Sequence, residues 1–514
     1  MNTKLLRQKI LDLAIRGKLT DQRKSDGTAA DLLKDIAEAK PKKNGVILNG
    51  ARSAKSKDPK QIIPLDKSEA PFEIPDNWEW VKLGDLCNAS SGKTPSTSQK
   101  EFWNGNVLWV TSKDVKQKYI DSTQICLSDL GASSMQLYPP KTMIIVGRSG
   151  ILRHSLPVAI LKKGATINQD LKALVFKDDR VVEFVYSVIK GMEQHLLHEY
   201  KKAGTTVDNL NFDLFLTAPI PLPPLAEQQR IVAKIEEAFA EIDAVEKNKD
   251  LLKTHIKQTR QKILDLAIHG KLVPQDENDE PASVLLEKIL QEKAQSDNKK
   301  SLKKKKTDDI STSDKRPYKK NALVSAEETP FDIPNSWEWI KIKDICETFG
   351  RIGFRGYTKK DLVEKGQGAI SLSPSNMIDM GLNFDKCTYI SWFKYEESPE
   401  IMLNIGDIVV VKTGSSYGKN AIVDRLPEKA TLNPQLMVLK QIKCNHNYLC
   451  DFLNSNYFRK EFENLVNGTA IPTFSQEKFS SKKFPLPPLA EQKRIASKIE
   501  SLFSVLDAME KESD

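Results

Sequence analysis

The chain has 514 residues, of which 39% are hydrophobic and 29% charged, with 78 basic against 69 acidic side chains for a net charge of +9. The apolar fraction excludes a disordered chain, and the length predicts roughly three or four domains. No segment has the unbroken apolar run of a membrane span or the layout of a secretory signal, and the six cysteines show no CxxC spacing. These features predict a soluble cytoplasmic protein with reduced thiols and no membrane contact.

The location of the charge says more than its size. Residues 40–68 carry eight Lys/Arg against two acids, and residues 291–320 carry eleven against five, so each stretch holds +6. The segments 71–220 and 330–484 carry only +1 and +2. Both basic stretches are rich in Lys, Ser, Asn and Pro without apolar periodicity, the composition of a mobile linker.

Three blocks of sequence recur in the same order. Residues 7–19 (RQKILDLAIRGKL) return at 260–272 (RQKILDLAIHGKL), and residues 71–87 (PFEIPDNWEWVKLGDLC) at 330–346 (PFDIPNSWEWIKIKDIC). Residues 221–247 (PLPPLAEQQRIVAKIEEAFAEIDAVEK) return at 485–511 (PLPPLAEQKRIASKIESLFSVLDAMEK), and the offsets grow slowly from 253 through 259 to 264. One unit, helix start then module then helix, therefore occurs twice. The predicted boundaries are a helical region at 1–40, a basic linker at 41–69, a module at 70–222, a central helical region at 223–295, a second linker at 296–328, a second module at 329–486 and a last helix at 487–514.

Residues 225–270 have no internal Gly or Pro and place Ile231, Ile235, Phe239, Ile242, Val245, Leu252, Ile256, Thr259, Ile263 and Leu266 at helical spacing. This pattern predicts one helix about 65 Å long, long enough for a coiled-coil seam. Here the terminal helix of the first unit runs into the starting helix of the second. A pseudo-two-fold tandem duplication would pair this helix antiparallel with the C-terminal one, placing Ile10 within cross-linking reach of Met509. Between the helical blocks the two modules share only echoes such as ATINQDL (165–171) and ATLNPQL (430–436). Each is expected to be α/β, with strands at Met143–Val146, 174–176 and Ile408–Val411 and helices at 181–197 and 448–466. The fold class is thus α+β: two globular α/β modules separated by a long antiparallel two-helix coiled coil.

No catalytic motif survives inspection. Gly414-Ser-Ser-Tyr-Gly418-Lys419-Asn420 has three residues where a P-loop needs four, and Asn where a Ser or Thr would hold magnesium. Gly350, Gly353 and Gly356 have the wrong spacing for a dinucleotide loop. Asn433-Pro434-Gln435-Leu436 lacks the second Pro and the aromatic of an adenine methyltransferase element. Cys444, His446 and Cys450 lack a fourth ligand, Cys87 and Cys346 sit in apolar contexts, and no His has a Ser or Cys partner at a suggestive spacing. The expectation is a chain with no catalytic residues, metal or cofactor of its own.

Binding remains. Polar loops carry residues suited to base edges and phosphates: Lys93, Thr94, Ser112, Lys113, Arg148, Ser149, Asn168, Gln169 and Thr205 in the first module. In the second they are Arg351, Arg355, Tyr357, Lys359, Ser373, Lys412, Thr413, Ser415, Asn433 and Gln435. Arg forks suit guanine, Asn and Gln suit adenine, and hydroxyls hold phosphate. Taken singly, a polar loop of this kind is more often plain surface.

The repeated PLPPLAEQ and ILDLAI-GKL blocks, with PFDIPNSWEWI, resemble the specificity subunit of Type I restriction–modification systems, and the match covers nearly the whole chain. The resemblance implies two target recognition domains, each reading one half of a bipartite site in double-stranded DNA. It also implies helices that dock two methylation subunits, for which Gln228, Arg230, Lys234, Glu237, Gln492, Arg494 and Lys498 are the candidates here. S-adenosylmethionine, ATP and magnesium would belong to the methylation subunits and to the restriction motor-nuclease subunits. The long helix would then act as a ruler, limiting the readers to sites within about two turns of B-DNA. Modules so near neutrality gain little from counterion release, so the isolated chain is expected to bind DNA weakly. Two other readings compete: a non-catalytic coiled-coil scaffold with protein-binding modules, which salt-dependent binding to duplex DNA would exclude, and a self-contained methyltransferase or nuclease, which no motif supports.

Overall fold

The computed structural model describes residues 2–38, 62–66, 70–204, 206–304, 329–378, 381–466 and 471–513. These form two compact units, Met1–Asn248 and Lys249–Asp514. Most of the first predicted linker (41–61 and 67–69) and residues 305–328 of the second lie outside the described residues. The described parts depart from the linker expectation. Ile62 is buried in the core of the first unit, and Leu65 donates its N–H to the Trp80 carbonyl across 2.7 Å. The helix Ala282–Lys304 likewise runs on beyond residue 296.

In the first unit the main sheet has the order Cys87–Ser91, Leu171–Phe176, Met143–Val146, Val158–Leu161, Tyr119–Ile120; the first four strands are antiparallel and the last pair is parallel. All four residues of Met143–Val146 are buried. Met143 and Ile145 join a core with the helices, while Ile144 and Val146 face a second core. Successive side chains point to opposite faces of a strand, so a strand covered on both sides reads as an unbroken apolar run. The second core is closed by a smaller sheet in which Trp103–Val110 runs parallel to Ala165–Ile167.

The second unit repeats this plan with different residues. Glu347–Gly350, Leu436–Lys440, Ile408–Val411 and Asn420–Ile422 form the antiparallel main sheet, and Gly368–Leu372 runs parallel to Ala430–Leu432 in the smaller one. Ile408 and Val410 face the helical core; Val409 and Val411 face the other. The duplication therefore extends through the modules whose sequences diverge.

The helices expected at 181–197 and 448–466 are each broken in two. Val182–Gly191 is followed by Glu193–Tyr200, and His446–Asn454 by Asn456–Leu465, where Ser455 caps the second helix by accepting from the Phe458 N–H. The central helix, Leu225–Ile268, has 44 residues, about 66 Å. Ile231, Ile235, Ile242, Ile256 and Ile263 are buried, but Val245, expected on the stripe, is 46% exposed.

Within each unit the starting and terminal helices of the repeat pair antiparallel. In the first, Arg7 of Thr3–Ile15 forms ion pairs with Asp243 at 2.5 Å and Glu246 at 3.0 Å, while farther along Arg230 pairs with Asp26. In the second, Arg260 pairs with Asp507 of Leu489–Ser513, and Arg494 with Asp279 at 2.6 Å. Arg7 also lies over the Phe239 ring, and Arg260 over Phe503. In each unit a short antiparallel ribbon brings the WEW block beside the PLPP segment: Glu79–Lys82 against Pro219–Leu222, and Glu338–Lys341 against Lys483–Leu486.

Candidate nucleic-acid interface

The polar loops of the first module converge because strand register brings them together. Asn168 follows the strand Ala165–Ile167, and its N–H bonds to the Val110 carbonyl at 3.0 Å, which sets Thr111, Ser112 and Lys113 beside it. Lys93 donates its N–H to the Ile167 carbonyl at 3.0 Å, and the Thr94 hydroxyl bonds Gln169. Gly147 and Arg148 donate their N–H groups to the Asp170 carbonyl at 2.8 and 3.1 Å. One edge of the module thus presents Lys93, Thr94, Lys113, Arg148 and Gln169 exposed, with Ser112 and Ser149 half-buried among them. Thr205 lies outside the described residues.

Asn168 has another role. It is 8% exposed, and its Oδ1 accepts from the Asp170 N–H at 3.2 Å, which shapes the turn and commits the oxygen that a two-point contact with adenine would need. Asp114 is also structural. Its carboxylate accepts from the N–H and hydroxyl of Thr111 at 2.8 and 2.7 Å and from the Gln124 N–H at 3.1 Å.

The second module builds the same edge. Asn433 donates its N–H to the Leu372 carbonyl at 2.8 Å, and Lys412 and Thr413 donate theirs to the Gln435 carbonyl at 2.9 and 3.3 Å. Ser373 and Asn376 repeat the cap of Thr111 and Asp114, Asn376 Oδ1 accepting from the Ser373 N–H at 3.0 Å. Gln435 and Ser415 are exposed, and Lys412, Thr413 and Ser373 half-buried. Asn433, like Asn168, is 8% exposed and makes a turn, accepting from the Gln435 N–H at 2.9 Å.

Several predicted contacts are engaged internally. Arg351 is 4% exposed; its guanidinium donates to the carbonyls of Leu432 at 3.0 Å and Arg355 at 3.3 Å and to the Thr431 hydroxyl at 3.3 Å. It also lies over the Tyr357 ring, and burial lowers its pKa. Arg355 pairs with Glu400 at 3.3 Å, and the Tyr357 hydroxyl bonds that of Ser371 at 2.9 Å. Arg351 therefore holds the loop to the sheet and has no free fork for guanine. Lys359 is exposed but stands apart. The strand that follows it, Leu362–Val363, pairs with Thr388–Ser391 in a register that sets Lys359 toward the Gly368 end of the small sheet, opposite Ser373.

The helical candidates divide in the same way. Gln228 and Gln492 are buried at 1% and 0% exposure, and each donates its amide to a carbonyl of the preceding prolines, Pro223 and Pro487, at 2.8 Å. They terminate the Pro-Pro turn and offer a partner no surface. Arg230 and Arg494 are held by Asp26 and Asp279. Lys234, Glu237 and Lys498 remain exposed, the first two paired at 2.8 Å.

Among the described residues no group of three or more His, Cys, Asp or Glu side chains is placed to hold a metal. Cys444 and Cys450 are buried, and the Cys450 thiol donates to Asn420 Oδ1 at 3.2 Å. Cys87 and Cys346 pack in the two cores, and burial pushes each thiol up to about 12. No described helix is long and apolar enough to cross a membrane. Sequence reasoning passed over Lys172, whose ammonium reaches the Ser91 hydroxyl at 2.6 Å; a lysine within an apolar strand gives no signal of where its tip emerges.

The sequence model for the Type I restriction modification DNA specificity domain matches residues 75–254 and 334–514. The EcoAI specificity subunit of Escherichia coli, a Type I restriction enzyme component, is 26% identical over 98% of this chain and 90% of its own length. The EcoR124I/EcoR124II specificity subunit of the same organism is 36% identical over 157 residues, 30% of this chain and 39% of its own. A solved chain from work on complex assembly and conformational transition of the type I R-M system aligns with a TM-score of 0.55 at 16% identity. That alignment covers 86% of this chain and 94% of the other, a likeness of fold.

Proposed function

The chain belongs to the family of Type I restriction modification DNA specificity domains, and from that premise we propose that each of its two modules reads one half of a bipartite site in duplex DNA. The observation that carries this reading is the pair of equivalent edges. The same register places 93–94, 111–113, 148–149 and 169 at one edge and 373, 413–415 and 435 at the other, with unrelated side chains on a shared frame. A common fold with different polar tips is what two readers of different sequences require.

In this reading the chain performs no chemistry. Methylation subunits would bring S-adenosylmethionine, and motor-nuclease subunits ATP and magnesium. The repeated helices, through Lys234, Glu237 and Lys498, would dock the two methylation subunits. The 44-residue central helix and its antiparallel partner would form a coiled coil that spaces the readers. The low charge of the modules supports weak DNA binding by the chain alone, with methylation subunits completing a clamp.

Co-expression with the methylation subunit of its own system, followed by genome-wide mapping of modified adenines, tests this. A bipartite methylated sequence is the expected result, and replacing residues 330–484 with another module should change one half of it. A change in both halves, or methylation without sequence preference, would sink the reading.

A further inference from the structure

The two modules place a lysine ammonium at the same corner of the fold from different positions in the chain. Register fixes the correspondence: Val146 pairs with Leu171 as Val411 pairs with Leu436, so Gly147 matches Lys412 and Lys172 matches Met437. In the first module the stem of Lys172 covers Gly147, where a Cβ would meet its Cγ at 3.1 Å. Its Nζ reaches Ser91 at 2.6 Å and lies over the Phe212 ring. In the second module Lys412 itself occupies the glycine position. Its Nζ lies 3.3 Å from where a Cβ on Gly350 would be, and Gln476 Nε2 comes within 2.2 Å of the same point. Gly350 and Gln476 are the counterparts of Ser91 and Phe212, each pair closing one strand and opening one helical turn.

Several other half-buried lysines in the modules are neutralised by carboxylates: Lys118 by Glu183 and Glu236, Lys190 by Glu193, Lys394 by Glu397, Lys440 by Asp407. Among the described residues neither Lys172 nor Lys412 has an acid within ion-pair distance. Lys172 instead lines an open hollow of about 490 Å³ with Ser91, Lys202, Asn209, Phe212 and Asp213, whose carboxylate forms no ion pair with it. A cation drawn partly out of water beside a reading edge, with no carboxylate paired to it, is matched to an anion from outside.

We propose that Lys172 and Lys412 each bind one backbone phosphate of the DNA, a positioning contact common to both modules and independent of the sequence read. This rests on the DNA-recognition reading above. A phosphate contact fixes register on the duplex, while the divergent loops supply base contacts.

The test uses the full chain assembled with the methylation subunits of its system. Binding to duplexes with and without the mapped site is followed by fluorescence anisotropy over a range of KCl concentrations. Lys172→Gln and Lys412→Gln should each reduce the slope of log K against log salt by about 0.9, and the double variant by about twice that. Both duplexes should weaken by the same factor, the methylated sequence should stay unchanged, and Lys→Arg should restore the slope. If Lys172→Gln lowers the melting temperature by uncovering Gly147, Lys172→Met keeps the stem and carries the test. An unchanged slope in folded variants overturns the proposal, as does an altered methylated sequence or a loss confined to the site-containing duplex. If the unaltered complex binds both duplexes equally and without salt dependence, the recognition reading itself fails, and this inference with it.

Discussion

Trp78 donates its indole N–H to the Glu227 carboxylate across 3.0 Å, with both side chains buried. The second oxygen of Glu227 accepts from Gln22, so one carboxylate joins the segment after the first helix, the WEW ribbon and the start of the central helix. Gln275, Trp337 and Glu491 repeat the arrangement in the second unit, with the indole at 2.9 Å. The glutamate of PLPPLAEQ thus ties together the three blocks that define the repeat. Both oxygens need to accept, so Glu227→Gln or Glu491→Gln turns an amide NH₂ toward one of two donors. The expected loss is about 1–3 kcal/mol per site in chemical denaturation. A variant as stable as the parent would show that the carboxylate is not what holds the blocks.

Asp451 gives the second unit a pH dependence. Burial pushes its carboxyl up to about 8, and the nearby Glu500 adds to the rise. A carboxyl whose folded pKa lies above its unfolded value contributes stability that is fully present below the unfolded pKa, near 4, and is lost as pH climbs to about 8. Melting temperature should therefore fall across that interval. Asp451→Asn, which stays neutral, should flatten the fall; a curve parallel to the parent's would assign it to another group.

The glycine of ILDLAI-GKL is required by its backbone. Gly17 and Gly270 both have φ +66°, and a Cβ would approach Cγ of Pro75 to 2.5 Å and of Pro334 to 2.4 Å. Ending the helix in the left-handed region and pressing the next proline against it leaves no room for a side chain. Gly17→Ala or Gly270→Ala should cost more than about 1 kcal/mol, measured by thermal unfolding.

What was legible in the sequence was what repeats or what is covered on both faces. Met143–Val146 and Ile408–Val411 read as strands because both of their faces are buried, and the central helix read as one element because nothing interrupts it. The break at Met192 was not legible. It follows a helix whose Gly191 lies against Leu11 and Ile15 of the first helix, a contact made far away in sequence. The inward turn of Arg351 was hidden for a similar reason, since the Leu432 carbonyl it needs is presented only once the small sheet has formed. Polar composition picked out loops that register brings to one edge, while the division between exposed tips and turn-forming amides depends on that register.

The helical candidates for partner docking should separate into two classes. Arg230 and Arg494 hold nearly buried carboxylates, with Asp26 and Asp279 at 6% and 9% side-chain exposure. Arg230→Ala strands Asp26, and about 1–3 kcal/mol of stability should go with it, whether or not a partner is present. Lys234 and Lys498 lie on the exposed face, so their replacement by Glu should leave melting unchanged and reduce co-purification with methylation subunits. If Lys234→Glu leaves assembly intact, docking uses another face of these helices.

The proposed reading edge can be divided by the same logic. Arg148 is exposed, and its backbone alone is tied down, through its N–H to Asp170. Asn168 is buried and holds the turn that sets Gln169 and Asp170 in place. Arg148→Ala should leave the melting temperature unchanged and weaken binding of the assembled complex to its site, by about 1–3 kcal/mol if the guanidinium reads a base. Asn168→Ala should instead lower stability by about 1 kcal/mol through loss of the Asx bond, and weaken binding only by loosening the edge. Asn168→Asp retains an acceptor for the Asp170 N–H but adds a negative charge where phosphates would approach. The turn should survive that change while binding falls, most steeply at low salt. Equal binding by Asn168→Asp and the parent at low salt would place the DNA away from this edge.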